Sequence, residues 1–312
     1  MIGLRLILSA KPQWAELRAK LVSLVVVLLS HVALAMVPRL FSFLSLLAVL
    51  PIAALVMVST YAFAAWLRRL LHMRASAPAM VISHILFIWG VHITVVRVAI
   101  PSLLDAALNM ECVLLLIGLY RISYGDPGIV AIKSTCSGAL GQTDISEFPN
   151  EGFPLLLRVR YCYFCKRNVK GFDHHCAAFG NCIGQNNHHL FMVLVIGFII
   201  TEATFTMCSS QYIKVLSRGQ SFGFERNIAG NLVISTLLFS FLQVLWQAPF
   251  LIWHLYCICC NIKTDEWVNW SEYPVFQLVA QSPQESSFTV MRFVNPYNQG
   301  ILSNVREYLT SS

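Results

Sequence analysis

The sequence predicts an all-α polytopic membrane protein of about six transmembrane helices that carries one small cysteine- and histidine-rich domain. Three observations predict it. First, 57% of the 312 residues are hydrophobic and 12% are charged, with a mean hydropathy of +0.65. In such a composition lipid, rather than a large soluble core, covers the apolar surface. Second, the apolar residues gather in six runs separated by basic or turn-forming breaks. Third, residues 160–191, RYCYFCKRNVKGFDHHCAAFGNCIGQNNHHLF, are polar and basic although they lie between long apolar segments. That stretch holds four of the ten cysteines and four of the nine histidines.

Taken in order, residues 1–20 carry Arg5, Lys11, Arg18 and Lys20 and read as a short cytosolic amphipathic leader. The apolar run after it is longer than the core of a signal peptide and lacks a convincing small-residue cleavage site. Residues 21–66 form an additional transmembrane hairpin: a span over 21–37, a break at Pro38-Arg39, and a span over 40–66 with Pro51 inside it. Proline is tolerated in a membrane helix when neighbours satisfy the freed carbonyl. A basic loop at 68–74 leads to helices three and four within 80–122, over 80–100 and 106–122. The fourth contains Asn109 and Glu111, and Asp105 and Glu111 are expected to face Arg97 near the interface. A cytosolic domain comes next over 123–190, then helices five and six within 191–256, over 191–207 and 232–256, and a cytosolic tail over 257–312.

Six spans place both ends on one side. The leader, the 68–74 loop and Lys166, Arg167 and Lys170 fall there, so that side reads as cytosolic. Lys214, Arg218 and Arg226 on the opposite side are a mild violation. The net charge of +7 is accounted for by this asymmetry. Nucleic-acid binding would need a clustered basic face on a soluble domain, and none is evident. The remaining cysteines show no secreted disulfide framework.

Cys162 and Cys165 form a CxxC knuckle that points two thiolates at one ion. Zinc takes four such ligands tetrahedrally, and His175 and Cys182 complete a Cys-Cys-His-Cys set. A redox CxxC wants a βαβ context, which is not apparent. Cys176 is left over, in Asp173-His174-His175-Cys176. Thiolate is the nucleophilic form of cysteine, and neighbouring imidazoles favour it. Cys176 then reads as nucleophile, His174 as base and Asp173 as the group that orients the base. The rival reading makes these residues further metal ligands, although one tetrahedral ion is already satisfied.

The stretch resembles the cysteine-rich domain of the DHHC-type protein S-acyltransferases, or palmitoyltransferases. Asp173-His174-His175-Cys176 matches the family signature, and Asn181-Cys182-Ile183-Gly184, Asn187 and Phe191 match the family pattern on its C-terminal side. Asp126-Pro127-Gly128 stands where the family has the same tripeptide. Lys263-Thr264-Asp265-Glu266 resembles Thr-Thr-x-Glu, with Lys263 departing. Asn295-Pro296-Tyr297-Asn298-Gln299-Gly300 with Asn304 resembles the family's tail motif, so the likeness runs over more than half of the chain.

The resemblance implies that Cys176 attacks the thioester of a fatty acyl-CoA and passes the chain to a cysteine of a membrane-apposed protein. It also implies an acyl chain held between helices under Cys176, with a location in the Golgi, the endoplasmic reticulum or the plasma membrane. Lys166, Arg167 and Lys170, with Arg158 and Arg160, would meet the CoA phosphates; a solvated basic face beside anionic lipid explains them equally well. Two departures matter. The family pattern carries two zinc sites, but residues 148–160 hold no cysteine, and Tyr161 and Asn168 replace a histidine and a cysteine. A whole site is absent while a whole site survives, so one zinc ion is expected. Ala177-Ala178 stand where Pro-Trp is usual.

These departures leave a catalytically weak membrane scaffold as the alternative function. A membrane RING-type ligase would need eight ligands where the stretch offers four. Cys257, Cys259 and Cys260 at the end of the sixth span are either acylation sites or small apolar residues at a helix end.

Overall fold

The computed structural model describes residues 2–130, 158–219, 228–280 and 290–310. Among these, six helices are long and apolar enough to cross a membrane, which makes the chain an integral membrane protein by length and composition. They are α1 (Ile2–Leu40), α2 (Leu46–Leu70), α3 (Ala77–Thr94), α4 (Ser102–Tyr124), α5 (His188–Gly219) and α6 (Ile228–Cys259). Their ends differ from the expected ones for local reasons. α1 passes through Pro38 because a proline in the final turn removes a single hydrogen bond, and the Phe41 N–H still reaches the Val37 carbonyl at 3.0 Å. α2 starts later than expected, where the Ser45 hydroxyl caps it by accepting the Ala48 N–H.

The chain divides into two units, each with its own contacts. The first comprises Met1–Tyr120, Ala177–Phe179 and Leu194–Pro249. Its buried residues include Leu34, Val37, Val49, Ala53, Ile88, Val91, Leu108, Phe205 and Leu238. The hairpin α1–α2 joins α3 through polar links that an apolar medium strengthens. The Ser23 hydroxyl donates to the Ser76 carbonyl at 2.9 Å and accepts the Ser76 N–H at 2.8 Å. His84 on α3 lies 3.2 Å from His31 on α1 and 2.7 Å from the Tyr61 hydroxyl on α2. Phe87 stacks on the His31 ring at 3.7 Å.

Asp105 meets His92 at 2.9 Å and Arg97 at 3.4 Å, but Glu111 does not face Arg97. Six residues further along a helix turn the side chain well away from Asp105. There Glu111 accepts the Thr204 hydroxyl at 3.1 Å.

The second unit comprises Arg121–Cys176, Gly180–Val193 and Phe250–Ser312. Its sheets are small and antiparallel. β1 (Ile129–Val130), β2 (Val159–Cys162) and β3 (Arg167–Lys170) run in the order β1-β3-β2. β4 (His174–Cys176) pairs with β5 (Asn181–Ile183), and β6 (Gln277–Ala280) pairs with β7 (Val290–Phe293). Two short helices, α7 (Thr264–Val268) and α8 (Ile301–Thr310), complete it.

The Asp-Pro-Gly tripeptide works as a turn in this unit. Asp126 Oδ1 accepts the N–H groups of Gly128 and Ile129 at 2.9 and 2.8 Å, and Gly128 takes a φ of 105°. This starts β1, which pairs with β3. A Cβ on Gly184 would come within 2.4 Å of the Pro127 carbonyl, so only glycine allows that approach. The tail motif closes the end of α6. Asn304 Nδ2 donates to the Cys259 carbonyl at 2.8 Å and Asn295 Nδ2 to the Cys260 carbonyl at 2.7 Å, satisfying groups that a helix end leaves orphaned.

Candidate functional site

The site begins with β4, three residues long. Successive side chains on a strand point to opposite faces. His175 therefore faces one way, and His174 and Cys176 the other. The register with β5 sets their neighbours: His175 lies opposite Cys182, and Cys176 opposite Asn181.

On the His175 face, the ligand atoms of Cys162, Cys165, His175 and Cys182 all lie within 4.8 Å of one another, and this cluster could hold a metal ion. Cys165 Sγ is 3.4 Å from His175 Nδ1 and 3.4 Å from Cys182 Sγ, and Cys182 Sγ is 3.7 Å from His175 Nδ1. Tetrahedral zinc with thiolate and imidazole ligands would set such edges at about 3.5–3.8 Å, so the donor set fits. The Cys165 N–H points at Cys162 Sγ at 3.4 Å, and Lys166 turns the knuckle with a φ of 54°. Burial, then His174 beside it, lower the His175 pKa and favour the neutral imidazole that a metal needs. Burial and the neighbouring thiols push the Cys182 thiol up, a bias that a bound cation reverses.

On the other face, His174 Nδ1 lies 2.7 Å from Asp173 Oδ2, and Cys176 shares that face of the strand. Burial opposes a charge on His174, but Asp173 and then Cys176 outweigh it and raise its pKa to about 9. Asp173 is fully buried. Burial would raise its pKa, yet the His174 bond and the surrounding positive charge hold it far below the usual carboxylate range. The Thr264 N–H donates to Asp173 Oδ1 at 3.0 Å and the Asp265 N–H to the Asp173 carbonyl at 2.9 Å. The start of α7 thus fixes Asp173, and Arg158 fixes α7 in turn through Glu266 at 3.0 Å. Phe191 packs edge-on against His174 at 5.3 Å.

The basic residues do not converge. Alternation along β3 sends Lys170 and Arg167 to different faces. Lys170 lines a cavity of about 240 Å³ with Arg158, Gln185, His188, Lys263 and Tyr308, whereas Arg167 lines a separate cavity with Pro127 and Cys165. Arg158 is engaged by Glu266, Asn261 and the Tyr297 ring, and Arg160 by Asp265 and Glu272. Both arginines are thereby structural ties.

Two residues near Asp173 escape a reading of the sequence alone. Lys263 stands out there only as a departure from a motif; in the structure its ammonium is drawn down by burial, with Asp173 opposing. His254 lies 3.9 Å from Asp173 Oδ2, and its one signal is that of an ionisable residue inside an apolar span.

Comparison with known proteins bears out the likeness to the DHHC family. Residues 153–271 match the family described as DHHC palmitoyltransferase. Palmitoyltransferase ZDHHC18 of Rattus norvegicus is 25% identical over 183 residues, covering 49% of this chain and 47% of the relative. Palmitoyltransferase ZDHHC17 of Mus musculus is 28% identical over 160 residues, covering 49% of this chain and 24% of the relative. Palmitoyltransferase AKR1 of Mortierella alpina is 41% identical over 96 residues, covering 31% and 15%. The chain thus spans less than half of the length of these curated relatives.

Proposed function

We propose that this chain, whose residues 153–271 carry the DHHC palmitoyltransferase domain, is a protein S-acyltransferase. It moves a long-chain fatty acyl group, palmitoyl in the family's description, from acyl-CoA to cysteines of membrane-associated proteins through an acyl-Cys176 intermediate. The observation that carries the reading is the pairing of His174 with the buried Asp173 carboxylate at 2.7 Å, on the strand face that also carries Cys176. A catalytically weak scaffold would have no need to bury an anion against an imidazole that shares a strand face with a cysteine.

In the first half-reaction the Cys176 proton rests on His174, whose imidazolium Asp173 stabilises. The thiolate adds to the acyl-CoA carbonyl. The bond to the CoA sulfur breaks, and CoA leaves with the proton from His174. In the second half-reaction His174 takes the proton of the acceptor cysteine, whose sulfur attacks the acyl-Cys176 carbonyl. Cys176 then leaves and is reprotonated by His174. Cys162, Cys165, His175 and Cys182 would hold one zinc ion, which supplies folding free energy to the strand pair that carries Cys176.

Lys170 is assigned to the CoA phosphates from inside its cavity, with Lys166 and Arg167 as more distant basic groups. The domain faces the cytosol of an endomembrane, Golgi or endoplasmic reticulum, or of the plasma membrane, where acyl-CoA and membrane-proximal cysteines meet.

The test is incubation of the purified chain with labelled palmitoyl-CoA. A hydroxylamine-sensitive label that vanishes in Cys176→Ser is expected. A folded, metal-bearing chain that takes up no label would sink the reading.

A further inference from the structure

Thr264, His174 and His254 all face the buried carboxylate of Asp173, and the reaction above uses only His174. The Thr264 N–H takes Oδ1 at 3.0 Å, and His174 Nδ1 takes Oδ2 at 2.7 Å. The third is His254 near the end of α6. Its side chain is 2% exposed, and its Nδ1 stands 3.9 Å from the same Oδ2. That nitrogen makes no hydrogen bond among the described residues. Phe191 and Phe250 hold the ring edge-on, with centroids at 4.8 and 4.5 Å, and the His174 ring lies 5.6 Å away. A buried imidazole nitrogen without a partner is costly. The polar group that Nδ1 faces is Asp173 Oδ2, at 3.9 Å, beyond hydrogen-bond length.

We infer that His254 is a positioning residue for acyl transfer, acting through Asp173 to hold Oδ2 against His174 Nδ1. The inference rests on the S-acyltransferase reading. A carboxylate oxygen with one donor can swing about its bond, and the imidazole it orients swings with it. An imidazole edge facing Oδ2 at 3.9 Å, beside the backbone donor on Oδ1, restricts the carboxylate plane, as outer partners fix ligands and bases elsewhere. His174 then keeps the tautomer and direction in which Nδ1 meets Asp173 and Nε2 is left free for the thiol proton.

The geometry names the nitrogen, which makes the test specific. His254→Asn places an amide nitrogen near the position of Nδ1. His254→Gln places one near Nε2 instead. His254→Phe keeps the ring and removes both nitrogens. Each purified full-length variant is given labelled palmitoyl-CoA in single-turnover assays, with metal content measured in parallel.

His254→Phe is expected to keep its metal and its half-saturating acyl-CoA concentration, while its maximal acylation rate falls about ten- to a hundredfold. His254→Asn should recover most of that rate and His254→Gln should not. In an Asp173→Asn background, His254→Phe should cost nothing further, because the residue acts through Asp173. Wild-type rate in His254→Phe, equal rates in the Asn and Gln variants, or a full additional loss in the Asp173→Asn background would each overturn the inference. If His254→Phe fails to accumulate, the Asn and Gln variants decide it by themselves. A wild-type chain that never acylates Cys176 overturns both readings; an active wild type with a flat His254 series overturns only this one.

Discussion

His174 and His175 are neighbours of one residue type on opposite faces of one strand, and the proposed reaction gives them opposite work. Their losses should therefore differ. His174→Ala should keep its metal and its abundance but acylate about a hundredfold or more slowly. Its residual rate should climb as pH rises, since bulk base then takes over removal of the thiol proton. In the wild type His174 titrates near 9, raised from its ordinary value, so the stability it contributes with Asp173 is present below about pH 6.5 and lost as pH rises through 9. His175→Ala should lose metal and accumulate poorly at every pH. Metal analysis and a pH–rate profile on both variants check this; a His174→Ala variant that loses metal while His175→Ala keeps it would exchange the two roles. Cys176→Ser should accumulate normally yet form no acyl adduct, as read by hydroxylamine release, because a hydroxyl is far less nucleophilic than a thiolate. Residue types and spacing made the four-ligand cluster and the Asp173–His174 pair legible in the sequence. His254 was not legible, since a histidine in an apolar span shows nothing of the carboxylate it faces, which lies far away in the chain.

Among the elements, helices were legible as apolar runs and strands barely at all. Hydropathy marks a span without reference to any partner. A three-residue strand such as β4 exists only because β5 pairs with it, and no periodicity survives over so few residues. Helix ends were the other gap: Ser45 and Pro38 act through local hydrogen bonds that composition averages away. The tail motif gives an element-scale prediction. Asn304 is 1% exposed, donates to the Cys259 carbonyl and Asn298, and accepts the Gln299 N–H. Asn304→Ala would strip those partners from buried groups, at a cost of about 1–3 kcal/mol. Thermal unfolding in detergent should show the loss while His175 and its cysteines keep their metal. An unchanged melting temperature would mean that the tail does not cap α6.

At the scale of the whole molecule, the departures from the two-zinc pattern become a count. Tyr161 and Asn168, which replace a histidine and a cysteine, lie directly opposite each other across β2 and β3. Neither side chain is a ligand type that zinc prefers, so this pair offers no second site. Cys136, the cysteine most able to serve a second ion from elsewhere in the sequence, lies outside the described residues. Among the described residues the geometry offers one four-ligand cluster, together with a three-membered group of Asp173, His174 and His254. The second group sits where proton transfer needs a free imidazole, so the expected metal content is one ion per chain. Cys182→Ser should bring it to none, and His254→Phe should leave it at one. Chelation should unfold the domain, because structural zinc binding is itself folding free energy of about 10 kcal/mol or more. Two ions per chain, with one lost in His254→Phe, would show that the Asp173 group binds metal and that His174 is a ligand rather than a base.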